Sequence, residues 1–229
     1  MSPRDPSFYV FEILGWTSIL LLVILAILLL RGPFRKYPLI LAYCVIQLIV
    51  TAGEDYLRII ASPKFYAALY WTDEILLNLL LFLMVITFTY RAVGDSPMRP
   101  ILGKLLGAIF VVVLLLPILI FKGPAFRSTS WLNHTSQLLS FCAAILNLGL
   151  WSALVSNRRR DRLLLSVSAG LGIAVTGAAI SYGVRGFFSL HWIWVPDVFM
   201  SATFVICMII WCWAFRPRGD LFSAKPVTL

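Results

Sequence analysis

The chain has 229 residues, 61% of them hydrophobic and 13% charged, with a formal net charge of +9 and a mean hydropathy of +0.93. A soluble domain of this size needs a largely polar surface, which so few charged residues cannot supply. At roughly 20 residues per spanning helix, about seven spans with short connections use up the chain, which excludes a soluble enzyme, a fused kinase or a DNA-binding head.

In chain order, the apolar runs predict spans at about 8–30, 37–56, 65–90, 101–121, 131–155, 163–185 and 192–215, followed by a short cytoplasmic tail at 216–229. The expected fold class is all-α: a single polytopic transmembrane domain, 1–229, built as a seven-helix bundle. A β-barrel would show alternating strands of about ten residues, and runs such as Ile19–Leu30 do not alternate. The first run is too long for a signal-peptide core and ends Leu29-Leu30-Arg31 without a small-residue cleavage site, so it reads as a permanent helix. Arg31-Gly32-Pro33, Ser62-Pro63, Ser96-Pro97 and Gly123-Pro124 mark breaks between runs.

The basic residues alternate from one connection to the next. One side of the membrane receives Arg31, Arg35, Lys36, Arg91, Arg99, Lys104, Arg158, Arg159, Arg160, Arg162, Arg216, Arg218 and Lys225, thirteen of the nineteen. The other side receives Arg4, Arg58, Lys64, Lys122, Arg127 and Arg185. Lysine and arginine are retained on the cytoplasmic side, so the N-terminus is expected outside and the C-terminus in the cytoplasm. The cluster Arg158, Arg159, Arg160 and Arg162 is the densest, and reads as a topology anchor on anionic lipid or a docking site for a cytoplasmic partner. Cys44, Cys142, Cys207 and Cys212 all fall inside spans with no Cys-x-x-Cys pair, and read as small buried hydrophobes.

Ionisable groups inside a bilayer are expensive, so each needs a reason. Glu12, Glu54, Asp55, Asp73, Glu74 and Asp197 lie in or beside the outer halves of spans. In the third span Tyr70, Glu74 and Asn78 are four apart and share a helix face, with Asp73 beside them. In the fifth, Asn133, Gln137, Ser140, Ala144 and Asn147 make a polar and small stripe, with His134 near its outer end. Tyr182 and Arg185 close the sixth span, and Arg185 is the natural counter-ion for Glu74 or Asp197. Two readings stand for this set. Glu12, Tyr70, Asp73, Glu74, Asn78, Asn133, His134, Gln137, Arg185 and Asp197 line an outward-facing polar vestibule, or they are helix-end pairs and interhelical hydrogen bonds with no ligand. The ladder Ser166, Gly170, Ala174, Ala178 predicts close helix packing in the sixth span.

Much familiar chemistry is missing. The last span has no lysine for retinal, two histidines are too few for a bis-haem cytochrome, and neither His-Glu-x-x-His nor Gly-x-Ser-x-Gly occurs. No catalytic residue, cofactor or metal site is expected. The layout, with Tyr70-Trp71-x-x-Glu74 opening the third span, resembles small uncharacterised bacterial seven-helix inner-membrane proteins, some of them similar to seven-transmembrane sensor modules. That resemblance implies a multi-pass protein of the bacterial inner membrane. It also implies a separate membrane or cytoplasmic partner, because the output domain of such sensors is missing. Beyond the lipid bilayer and that partner no nucleic acid is expected, and the oligomeric state is open. Three functions follow: a sensing or accessory subunit, a small 3+1+3 transporter or channel using intramembrane carboxylates, and an intramembrane enzyme of unrecognised type. The 3+1+3 pattern rests on Tyr56, Arg58, Trp71 and Asp73 in one half, echoed by Tyr182, Arg185, Trp194 and Asp197 in the other.

Overall fold

Each apolar run forms one helix. A computed structural model of the chain describes residues 6–32, 36–60, 62–93, 99–120, 129–156, 162–185 and 194–216, and among these it is all-α. The helices are α1 (Pro6–Arg31), α2 (Pro38–Ile60), α3 (Pro63–Ala92), α4 (Arg99–Ile120), α5 (Thr129–Ser156), α6 (Arg162–Val184) and α7 (Trp194–Phe215). Every end falls within four residues of the run that predicts it. Local chemistry sets several of these ends. Ser62 is extended and its carbonyl accepts the Tyr66 N–H at 3.0 Å, while Pro63 takes the first helical position, where a missing N–H costs nothing. Pro117 lies inside α4 near its end, where it removes the N–H that would bond the Val113 carbonyl.

The helices run from 22 to 30 residues, about 33–45 Å at 1.5 Å per residue, against a hydrocarbon core of about 30 Å. Among the described residues, five are long and apolar enough to cross a membrane: Tyr9–Arg31, Phe65–Ala92, Arg99–Ile120, Arg162–Val184 and Trp194–Phe215. α2 offers a shorter apolar segment, Pro38–Glu54. α5 carries the polar stripe.

The helices close into a ring in the order α1, α2, α3, α5, α6, α7 and back to α1, with α3 also touching α6. α4 stands outside the ring against α3 and α5. The exterior is apolar where that of a soluble protein is polar. Ile13, Trp16, Leu20, Ile49, Ile145, Leu148 and Trp213 are among many large apolar side chains on the outside. Asn78, Ser136, Ser140, Asn147, Ser168 and Thr203 are buried inside. Patches of that extent are not left facing water.

α6 and α7 approach each other closely. A Cβ on Gly170 would lie 2.8 Å from Nε1 of Trp211, and one on Gly177 would collide with the Thr203 side chain. The Trp211 indole, completely buried, donates to the Val167 carbonyl at 2.8 Å. Of the predicted ladder, Gly170 packs α6 on α7 in this way, while Ala174 and Ala178 turn toward a cavity.

Candidate functional site

The cavity occupies about 310 Å³ between five helices. α1 contributes Phe11, Leu14, Gly15, Ser18, Ile19 and Leu22; α2 contributes Tyr43, Gln47 and Thr51. α3 adds Glu74, Leu77, Asn78 and Leu81, α6 adds Ala174 and Ala178, and α7 adds Met200, Ser201 and Phe204. It lies toward the N-terminal ends of α1 and α7, where α2 and α6 finish. Small side chains make the space: neither Gly15 nor the two alanines fills the volume that larger residues would take.

Among the described residues, Glu74 is the only ionisable carboxyl on its wall. Its Oε1 accepts from the Tyr182 hydroxyl and from Asn78 Nδ2 at 3.2 Å. The Asn78 carbonyl in turn accepts the Ser140 hydroxyl at 3.2 Å. Four residues on α3, α5 and α6 thus form one chain that clamps the carboxyl at the cavity edge. Asn78 and Ser140 are nearly inaccessible, so these bonds have no competing water. Glu74 and Asn78 meet because they are one helical turn apart, whereas Tyr182 and Ser140 arrive only through the packing of α6 and α5 on α3.

A second polar contact lies between the facing ends of α6 and α7. Arg185 Nη2 donates to Asp197 Oδ1 at 2.6 Å, with side chains 22% and 29% exposed. Of the two counter-ions expected for Arg185, the structure selects Asp197. Ser181 ties the same two helices by donating to the Pro196 carbonyl at 2.9 Å, and Ser201 donates to the Asp197 carbonyl at 2.9 Å.

The structure thus brings together Glu74 and Asn78 at the cavity, and Arg185 with Asp197 beside it. The other expected vestibule residues that are described do not line the cavity. Glu12 and His134 are exposed, and Tyr70, Asp73 and Gln137 are half-buried. Tyr70 sets its ring edge-on to Trp71, 5.5 Å between centroids. The side chain of Asn133 lies outside the described residues, as do Arg158, Arg159 and Arg160, while Arg162 opens α6 and is exposed. Gln47, Thr51 and Ser18 were not anticipated. Their signal was nevertheless present: Tyr43, Gln47 and Thr51 are spaced four apart on α2. All four cysteines are free thiols, with Cys44 and Cys207 buried and Cys142 and Cys212 partly so. Among the described residues, no group of three His, Cys, Asp or Glu side chains is arranged to hold a metal ion.

On the far side of the cavity the core is mostly apolar, although Asn147 and Ser168 are also buried. Leu25, Leu29, Ile40, Met84, Val85, Phe88, Leu150, Leu154, Val167, Trp211 and Phe215 are all buried in one continuous core. Tyr37 anchors its end, edge-on to Phe88 at 6.1 Å and to Phe215 at 5.3 Å. The Arg91 guanidinium lies over the same ring at 5.6 Å and donates to the Lys36 carbonyl.

Compared with known proteins, the sequence matches no family model and no curated protein, and the fold matches no solved structure. Function is therefore argued from the cavity and its surroundings.

Proposed function

We propose that the chain is a multi-pass protein of a bacterial-type inner membrane that crosses it seven times, with the N-terminus outside. In this reading it is a sensing or accessory subunit whose cavity is an outward-facing vestibule for a small ligand, and a separate partner protein carries the output. The five long apolar helices and the apolar exterior support the membrane setting. The alternation of basic residues, thirteen against six, supports the orientation. α2 and α5 complete the count because both are members of the ring, and in α5 neighbouring helices bury Ser136, Ser140 and Asn147 away from lipid.

One observation carries the choice of a binding subunit over a transporter: the cavity has a polar rim on one side and a floor of tightly packed Leu, Phe, Met and Trp on the other. A transporter needs a second polar route to the cytoplasm. The available one, along Ser140 and Asn147, does not continue from the cavity: Ser140 is spent on Asn78, and Asn147 lines a separate groove of about 700 Å³ between α5, α6 and α7 that shares no lining residue with it.

Cysteine accessibility tests both parts. In a chain with Cys44, Cys142, Cys207 and Cys212 replaced by serine, Ser18→Cys and Ser201→Cys should react with a membrane-impermeant maleimide added to spheroplasts. Arg216→Cys should react only after the membrane is permeabilised. Reaction of Ser201→Cys from the cytoplasmic side of inverted vesicles would indicate alternating access and favour the transporter.

A further inference from the structure

We infer that the cavity binds an organic ammonium ion with a compact apolar body, its nitrogen held by the Glu74 carboxylate. This rests on the vestibule reading and names the ligand class. The first ground is the division of labour at the carboxyl. Both of its hydrogen-bond donors, Tyr182 and Asn78, use Oε1. Oε2 has no hydrogen bond and no ion pair among the described residues, so half of the group's accepting capacity stays open.

The second ground is charge. Among the described residues no Lys, Arg or His lines the cavity, and Arg185, whose charge reaches Glu74, makes its ion pair with Asp197 at 2.6 Å instead. A carboxylate withdrawn from water without a cation is costly, and a ligand that brings the cation removes that cost. An anionic ligand would add a second negative charge. A divalent metal is poorly served by one carboxyl in apolar walls, since hard cations take six or more oxygen ligands.

The third ground is the rest of the wall. Leu22, Leu77, Leu81 and Phe204 would enclose an apolar body, and the volume of about 310 Å³ stands at the small end of ligand cavities, which run from about 300 to 1,000 Å³. The rings of Tyr43 and Phe204, 6.3 Å apart, offer further faces to a cationic or aromatic guest.

Binding of three matched probes to the full chain in lipid nanodiscs, followed by saturation-transfer NMR and calorimetry, tests the inference. The probes are 2-phenylethylamine, 2-phenylethanol and 3-phenylpropionate. The amine should bind at least tenfold more tightly than the alcohol, and the acid should not bind. Glu74→Gln, which keeps a carbonyl oxygen for Tyr182 and Asn78, should abolish the preference for the amine while the thermal midpoint stays within a few degrees. Equal binding of amine and alcohol, or an unchanged preference in Glu74→Gln, overturns the inference, because a neutral carboxyl would accept either guest. Absence of amine binding overturns it as well. The vestibule reading has its own control: Ala178→Phe should fill the space and remove binding of the alcohol. Alcohol binding that Ala178→Phe removes would leave the vestibule standing even where the amine preference fails.

Discussion

The two halves of this bundle are made from the same helices and differ in what those helices bury. Near the N-terminal ends of α1, α3, α5 and α7, the interior holds Glu74, Asn78, Ser140, Tyr182 and a cavity of about 310 Å³. Toward the opposite ends, α3 buries Met84, Val85 and Phe88, and α7 buries Met208, Trp211 and Phe215, with Tyr37 wedged between aromatic rings. Helices in lipid gain little from hiding apolar surface, so close packing and interhelical hydrogen bonds must hold them together. Here the apolar half supplies the packing. That frees the other half to keep a void and an ionisable group that would be a liability in a protein dependent on them for its fold.

The comparison makes graded predictions. The largest effect belongs to the apolar half. Trp211→Ala removes a completely buried indole, its bond to Val167 and the surface against which Gly170 packs. It should cost about 3–5 kcal/mol, read as a fall in the thermal midpoint in detergent. A loss no greater than that of a cavity-wall substitution would erase the distinction between the halves. An intermediate effect is expected at the polar clamp. Asn78→Leu breaks the links to both Glu74 and Ser140, and hydrogen bonds between membrane helices couple by about 0.6 kcal/mol on average, up to about 1.7. A double-mutant cycle pairing Asn78→Leu with Ser140→Ala should return a coupling in that range, while each single variant still folds. The smallest effect is at the rim. Arg185 and Asp197 are partly exposed, so Arg185→Gln combined with Asp197→Asn should show a coupling of no more than about 1 kcal/mol that shrinks as salt is raised.

Some of this was readable along the chain because it depends on neighbours in sequence. Helix ends followed Pro63 and the Gly-Pro breaks, and the Glu74–Asn78 contact followed from a spacing of four. The pairing of Arg185 narrowed to two acids by the rule that a charge in lipid needs a partner. Other features did not show. Glu12 and His134 sit at the same level of the sequence pattern as Glu74, yet both face outward. A helix carries side chains on all sides, and only its packing partners decide which side becomes interior.

Composition and apolar run length therefore sufficed for an all-α bundle with helices long and apolar enough to cross a membrane, because each reflects the exchange of a residue between water and lipid, a property of that residue alone. The omission of α4 from the ring, the joining of Tyr182 to a carboxyl 108 residues away and the opening of a cavity beside Gly15, Ala174 and Ala178 were decided by the tertiary structure. These depend on which helix faces meet and on how much volume their side chains leave between them, and neither quantity exists until the helices are packed.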